Sequence, residues 1–486
     1  MLASRLPGAP ALRQLSHCTC LRAAVSPAAR PALFRTLSLS APRPRPALAA
    51  LRPHQQRRTY AARAKPTEPL VLDGVSYPRD HFTNATPTIL DKLPRRLHLQ
   101  PSHPIGILRT LIESHFADFK HLNSLSPIVT VAQNFDDLGF PADHPGRALT
   151  DSYYLNQAHM LRTHTSAHEV ECFRAGMDRF LVTADVYRRD EIDRSHYPVF
   201  HQMEGCNVVD PAQGGIERLE RENAEMRAAL GAANIVIEDP TGDETATNPY
   251  QAEHDSRTAR IIAEHLKNSL NGLVLKLFGG RASGDGAEPL RVRWIEATFP
   301  WTAPSYEVEV MFNGKWLEIL GCGVVRQAAL ERSGVGHKQG WAFGLGLERI
   351  AMVLFSIPDI RLFWSSDARF ASQFRQGEIS TFKPYSRFPE CYKDLAFWLP
   401  DEGGDAAPAR KWHENDFMEL VRDEAGDLVE GVQLIDEFVH PKTGRTSRCY
   451  RFNYRSMDRS LSNEEVNVIQ DRVTERVTSE MGVEVR

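Results

Sequence analysis

The stretch 186–205, VYRRDEIDRSHYPVFHQMEG, sets guanidinium, carboxylate, imidazole and aromatic groups side by side between two β-rich flanks, a mixture foreign to a buried core. Residues 180–187 read as an incoming strand, residues 193–198 as a polar loop, and residues 199–204 as a returning strand with alternating side chains. With a period of two, Phe200, Gln202 and Glu204 fall on one face, and Arg188 near the end of the incoming strand reaches the same face. An arginine fork suits a phosphate, an aromatic plate suits a flat base, and a carboxylate suits an ammonium. A surface hairpin laced with ion pairs is the competing reading of the same residues.

A second stretch, residues 340–352, carries Phe-Gly-Leu-Gly-Leu-Glu-Arg, in which glycines punctuate a strand-like start and Glu348-Arg349 opens an amphipathic helix. Together with Tyr187-Arg188-Arg189-Asp190 and Phe200, this pair of stretches resembles motifs 2 and 3 of the class II aminoacyl-tRNA synthetases, in the family's order. Residues 134–147, NFDDLGFPADHPGR, followed by His164-Thr-Ser-Ala-His168, are similar to phenylalanyl-tRNA synthetases in particular, and the resemblance runs over roughly residues 75–486.

The resemblance implies roles. Arg188 would neutralise the α-phosphate of ATP, Arg349 would hold the γ-phosphate and cover the adenine, and Phe200 would carry the adenine's other face. Ser195, His196 and Tyr197 would lie over the nucleotide, and Glu318 would meet ATP and its Mg²⁺. His164, Ser166, Ala167, His168 and Glu169 would surround the amino acid, with Gln202 and Glu204 taking its ammonium. Phe299 and Trp301 would face its ring, and Ala342 would floor the ring pocket with Phe343 beside it. Two positions depart from the family's usual residues: Glu169, where Gln is common, and Trp301, where Phe is common. Read without the resemblance, Ser166 and Glu169 are also a Ser-x-x-Glu capping box, and Phe299 and Trp301 are also ordinary core aromatics. Pro141, His144 and Pro145 read as loop rigidifiers, with a place in the site as the alternative.

These groups need a scaffold, and the rest of the 486-residue chain supplies one. Residues 291–299, 305–312 and 315–325 alternate apolar and polar side chains, which predicts antiparallel strands with one buried face. No strand–Gly-x-Gly-x-x-Gly–helix unit occurs, which disfavours a dinucleotide fold. A helix is expected after Pro104, a charged one over residues 216–230, and one over residues 261–278 with Ile262, Leu266, Leu270, Leu273 and Leu277 on one stripe. Beyond a linker at residues 377–384, the order βαββα with a short final strand predicts a ferredoxin-like domain over residues 385–486. This resembles the anticodon-binding module of single-chain phenylalanyl-tRNA synthetases; Tyr450, Phe452 and Tyr454 alternate there with Arg451, Asn453 and Arg455, so that one set can pack inward while the resemblance implies that the other faces RNA, with a solvated basic strand as the alternative.

The first 67 residues contain no acid and hold eleven arginines and one lysine, the composition of a mitochondrial transit peptide. Setting those twelve positive charges aside takes the formal net charge from −4 to −16, so any RNA contact must come from local basic patches. The seven cysteines form no Cys-x-x-Cys pair, and no apolar run is long enough to span a membrane. The sequence is therefore read as α+β, a class II synthetase antiparallel sheet flanked by helices over residues 75–376 plus a C-terminal ferredoxin-like α+β domain. By resemblance it is a phenylalanine–tRNA ligase of the mitochondrial matrix, a monomer using ATP, Mg²⁺, L-phenylalanine and mitochondrial tRNA(Phe). Synthetase-like proteins without catalysis, and synthetases for other amino acids, are the alternatives. Intact Arg188, Glu204, Glu318 and Arg349 weigh against the first, and the aromatic-lined pocket against the second.

Overall fold

In Tyr306-Glu-Val-Glu-Val310 every second residue is buried, so the alternation read from the sequence is the alternation of the fold. A computed structural model describes residues 68–242, 244–281, 288–385, 388–400 and 412–486; the segment read as a transit peptide, 1–67, lies outside them. The catalytic sheet is built from β1 (Lys120–Leu122), β2 (Arg179–Tyr187), β3 (Val199–Val209), β4 (Ile235–Glu238), β5 (Leu290–Phe299), β6 (Thr302–Phe312), β7 (Lys315–Val325) and β8 (Gln339–Gly346). Their spatial order is β1-β2-β3-β8-β7-β6-β5-β4. The central pairs are antiparallel, while the two edge strands β1 and β4 pair in parallel with their neighbours, a detail that alternation alone does not encode.

Helices α1 (Pro104–Glu113), α2 (Glu169–Arg174), α3 (Gly215–Gly231), α4 (Ser256–Phe278) and α5 (Leu347–Phe355) flank this sheet. Asp255 caps α4 by accepting from the Thr258 N–H at 3.0 Å, and the predicted stripe of Ile262, Leu266, Leu270, Leu273 and Leu277 is buried against the sheet. Each such side chain contributes roughly 1.5–3 kcal/mol on burial. The same helix satisfies the sheet's buried indoles: Trp294 Nε1 donates to Asn271 at 3.0 Å and Trp341 Nε1 to His265 at 2.9 Å.

The C-terminal four-stranded sheet holds β9 (Cys391–Trp398), β10 (Val429–Val439), β11 (Thr446–Tyr454) and β12 (Glu484–Val485) in the order β10-β11-β9-β12, covered by α6 (Glu414–Ala425) and α7 (Asn463–Met481). Ser462 caps α7, its Oγ accepting from the Glu465 N–H at 3.2 Å. Tyr450, Phe452 and Tyr454 are fully buried beside Phe397 and Phe417. Residues 377–384, read as a linker, are pinned in part: the Phe382 N–H donates to the Phe355 carbonyl at 2.7 Å and its ring packs between Phe370 and Phe374. Among the described residues no helix is long and apolar enough to cross a membrane.

Candidate active site

Successive residues of β8 point to opposite faces of the sheet. Trp341, Phe343 and Leu345 join the helix-covered core, while Ala342 and Gly344 look the other way, into a cavity of about 670 Å³. Glycines shape both sides. A Cβ on Gly205 would stand 2.3 Å from the Phe343 ring, so glycine there lets that ring cross the neighbouring strand. A Cβ on Gly321 would stand 2.7 Å from Phe299 Cζ, so glycine there lets the Phe299 ring lie over β7 and wall the cavity. Gly344 has nothing within 4 Å of such a Cβ, because it opens on the cavity itself.

One end of the cavity is aromatic. Trp301 stacks on Phe299 at 6.1 Å and 17°, lies 5.4 Å from Phe140, and faces His164 at 6.1 Å and 26°; Phe140 and His164 stack at 5.6 Å and 15°. Burial pushes the His164 imidazole down to about 3, with Arg188 adding to the effect, so it is a neutral plate. Ala342, 3 % exposed, forms part of the boundary.

The polar end centres on Glu204, which is buried on β3 and accepts from Ser166 Oγ at 2.6 Å and Thr165 Oγ1 at 3.1 Å. Those hydroxyls belong to a tight turn, Thr165–His168, that precedes α2. Because Ser166 is bonded to Glu204, it does not cap the helix, and the capping-box reading of Ser166 with Glu169 does not describe this turn. Glu169 is buried behind Glu204, and its carboxyl is held well above the usual 4.5 by burial first and by the neighbouring Glu204 charge second. Burial also raises the Glu204 carboxyl, to about 7, while hydrogen bonds from Ser166, Thr165 and Glu169 pull it down, so Glu169 is the member of the pair that holds its proton the more firmly. Gln202 Oε1 is buried on the cavity wall without a hydrogen-bond partner.

Arg188 also faces the cavity. Its Nε donates to the Thr163 carbonyl at 2.8 Å, its guanidinium lies 5.3 Å from the Phe200 ring centroid, and among the described residues it forms no ion pair. Glu318 and Glu307 sit on the cavity's carboxylate side, and Arg349 approaches Glu318 at 3.6 Å while staying outside the lining. Burial first, then Glu318 and Glu309, raise the Glu307 carboxyl, a sign of crowded negative charge. Glu348, beside Arg349, is buried: its carboxylate takes the His201 N–H at 2.7 Å and meets His201 Nδ1 at 2.6 Å, tying β3 to the start of α5.

The structure brings together His164, Ser166, Arg188, Gln202, Glu204, Phe299, Trp301, Glu318 and Ala342 as cavity wall. It places the other sequence-predicted residues elsewhere. Ala167 packs behind the wall with Phe135 and Met160, and His168 Nε2 lies 3.1 Å from buried Arg162. Phe343 borders the cavity, but its ring stacks on Phe116 at 5.4 Å in the opposite core, since neighbours on one strand cannot share a face. Phe200 carries Arg188 from outside the lining.

Ser195 and His196 are folded back onto Asp193, whose carboxylate meets Ser195 Oγ at 2.9 Å and His196 Nδ1 at 2.8 Å. Tyr197 is 7 % exposed and donates to Asp427 at 2.7 Å, turned toward the C-terminal domain. The RNA-facing set is engaged too: Arg451 makes a bidentate pair with Asp394 at 2.8 Å, Asn453 donates to Glu430, and Arg455 pairs with Glu390 and Glu430. Sequence reasoning missed Phe140, Glu307 and the C-terminal domain's Asn415; His144, for which rigidifier and site residue were the two readings, lines the cavity. For Phe140 the signal was present, a phenylalanine in the 134–147 motif; for Asn415 there was none.

Two family models match the chain: the tRNA synthetases class II core domain (F) over residues 91–213 and 245–374, and the ferredoxin-fold anticodon binding domain over residues 386–486. Sheet, cavity and motifs thus define a class II aminoacyl-tRNA synthetase core. The chain is 48 % identical over 446 residues to the mitochondrial phenylalanine–tRNA ligase of Saccharomyces cerevisiae, covering 85 % of this chain and 94 % of that protein. It is 44 % identical over 439 residues to the mitochondrial phenylalanine–tRNA ligase of Mus musculus, covering 88 % and 91 %. With the chloroplastic/mitochondrial phenylalanine–tRNA ligase of Arabidopsis thaliana it shares 46 % identity over 413 residues, covering 84 % and 83 %. The chain belongs to the phenylalanine–tRNA ligase family.

Proposed function

We propose that the protein activates L-phenylalanine with ATP to phenylalanyl-adenylate and transfers the phenylalanyl group to mitochondrial tRNA(Phe). The observation that carries this is a cavity with an aromatic cage at one end, the acceptors Glu204 and Gln202 at another, and on its wall the guanidinium of Arg188, which forms no ion pair among the described residues. The cage fits a phenyl ring, and the acceptors fit an ammonium. Arg188 fits the phosphate that the substrate carboxylate attacks. An ammonium beside Glu204 favours its ionised form over the acid that burial favours, so the Glu169–Glu204 pair would meet the substrate's single positive charge with a single negative one. Ala342 limits the far end of the ring pocket, where a tyrosine hydroxyl would find no partner. Phe200 and Arg349 flank the nucleotide, and the role of Ser195 and His196 over it requires their loop to turn from Asp193.

Glu318 and Glu307 are the oxygen donors that would hold Mg²⁺, and their crowding fits a divalent cation. When bound, the ion would neutralise charge on the ATP phosphates. The chain's own residues orient the carboxylate against the α-phosphate and stabilise the charge that develops there. The Arg-rich, acid-free residues 1–67 support an address in the mitochondrial matrix, and the presence of activating and tRNA-binding domains in one chain supports a monomer. Arg188→Ala is expected to lower phenylalanine-dependent ATP–pyrophosphate exchange by about 10²–10³-fold with an unchanged melting temperature, the loss typical of a transition-state charge donor. Near-normal exchange in that variant would remove Arg188 from the mechanism.

A further inference from the structure

The loop of residues 189–197 joins β2 to β3 in the catalytic domain, yet the C-terminal domain grips it along its length. Arg189 pairs with Asp416 of α6 at 2.8 Å, and Arg194 pairs with Glu430 of β10 at 3.0 Å. Between them Ile192 is buried in the C-terminal core, and its carbonyl accepts from the Val432 N–H at 3.0 Å. At the far end Tyr197 donates to Asp427 at 2.7 Å. Arg188 stands at the near end of this loop.

The hold nearest Arg188 is on main chain. β2 pairs with β3 as far as Tyr187 and Val199, and the Arg188 N–H donates to the Pro198 carbonyl at 3.0 Å. Past that point the ladder ends, and one side chain takes the carbonyls of Asp190 and Glu191: Arg422 of α6, whose Nη2 donates to them at 2.6 and 3.2 Å. Its Nη1 donates to Glu419 at 2.6 Å, and Glu419 also accepts from the Tyr153 hydroxyl at 2.6 Å. Arg422, Glu419 and Tyr153 are all buried, and Tyr153 belongs to the catalytic core. Such a buried, mutually satisfied network holds one arrangement, and a guanidinium fork grips two carbonyls where an ammonium offers only a point charge. Asn415 of the same helix donates to the Thr150 carbonyl at 3.1 Å and lines the cavity with Arg189 and Asp190, so the helix that grips the loop is also part of the cavity wall. A guanidinium that must meet charge developing on a phosphate depends on where its backbone is fixed, and a misplacement of about 1 Å costs about a hundredfold in rate.

We propose that Arg422 is a positioning residue for amino-acid activation: through the carbonyls of Asp190 and Glu191 it sets Arg188 against the α-phosphate. The C-terminal domain then works in the first step of the reaction, before any tRNA is present. The inference rests on the proposed role of Arg188. The alternative is that these contacts only join the two domains, in which case losing them lowers stability and leaves the chemistry alone.

ATP–pyrophosphate exchange without tRNA separates the two, with kcat and the KM values for ATP and phenylalanine measured on the full chain. The variants are Arg422→Lys, Asp416→Asn, Arg188→Ala and the Arg188→Ala/Arg422→Lys double variant, each with its melting temperature. Arg422→Lys is expected to lower kcat about ten- to hundredfold, with KM for phenylalanine within about twofold of the parent because the aromatic cage and Glu204 stand on other elements. In the Arg188→Ala background the same change should cost less than about twofold, since the group it positions is gone. Asp416→Asn, nearly isosteric, loosens the grip through Arg189 and should lower kcat in the same direction by a smaller factor. It supplies the readout if Arg422→Lys fails to fold. An unchanged kcat in folded Arg422→Lys, or in Asp416→Asn where Arg422→Lys does not fold, overturns the assignment, as does an equal loss from Arg422→Lys with and without Arg188. If the parent shows no phenylalanine-dependent exchange, or Arg188→Ala exchanges like the parent, the proposed function or its use of Arg188 fails first; an impaired Arg188→Ala beside a silent Arg422→Lys sinks this inference alone.

Discussion

Glu169 is the residue whose chemistry most changes between sequence and structure. As a second carboxylate beside an ammonium site it reads as excess charge; buried against Glu204 it is a neutral donor, close in shape and hydrogen-bonding to the glutamine common in the family. Its carboxyl is raised above the usual 4.5, so the acid form is the one the fold favours. The stability it provides is therefore complete below about 4.5 and is lost as pH rises through the folded value. Glu169→Gln keeps a donor at every pH. Its melting temperature should match the parent near pH 5 and exceed it increasingly toward pH 9, the difference approaching a charge-assisted hydrogen bond of about 1.5–3 kcal/mol. Parallel melting curves across that range would show that Glu169 does not change charge there. A second residue-scale prediction concerns specificity. Ala342→Gly should open about one methyl of room and admit para-chlorophenylalanine, with a smaller gain for tyrosine because its hydroxyl still lacks a partner. An unchanged preference for phenylalanine over para-chlorophenylalanine in pyrophosphate exchange would mean that Ala342 does not bound the ring.

At the scale of elements, the strands carry the site because their period of two separates pocket from core. Gly321 is the test of this. An added Cβ meets the far edge of the Phe299 ring at 2.7 Å, so Gly321→Ala should push that ring into the cavity. The expected outcome is a rise of about tenfold in KM for phenylalanine, on the order of 1.4 kcal/mol, with little change in melting temperature; an unchanged KM would mean that Phe299 does not touch the substrate. The alternation of β6, the apolar stripe of α4 and the cap of α7 were all legible in the sequence, because local periodicity and capping chemistry dictate them. The placement of Phe343 was legible as well, had parity been followed from Ala342. Ser166 was not: the same Ser-x-x-Glu spacing serves as a cap or as two independent partners of Glu204, and only the packing of β3 against the turn decides.

At the scale of the whole molecule, the hairpin loop after β2 leans on the C-terminal domain. Ile192 is buried in that domain's core, its carbonyl accepts from the Val432 N–H at 3.0 Å, and Arg189 pairs with Asp416 at 2.8 Å. Arg361 reaches across to Glu430 at 3.1 Å in a buried pair that also holds Asp359. None of this is periodic or local, so none was legible in the sequence: Tyr197 looks like a nucleotide ligand until the second domain supplies Asp427 as its partner, and nothing local pairs Arg189 with Asp416. The domain order was legible, because each domain declares itself by its own pattern of strands and helices. Across both domains the central claim is that one cavity selects phenylalanine and joins it to AMP. ATP–pyrophosphate exchange by the purified full chain, run separately with each of the twenty amino acids, tests it most directly. Exchange dependent on phenylalanine, with tyrosine far weaker and the remaining amino acids at background, is the predicted result; exchange driven best by any other amino acid, or by none, would contradict it.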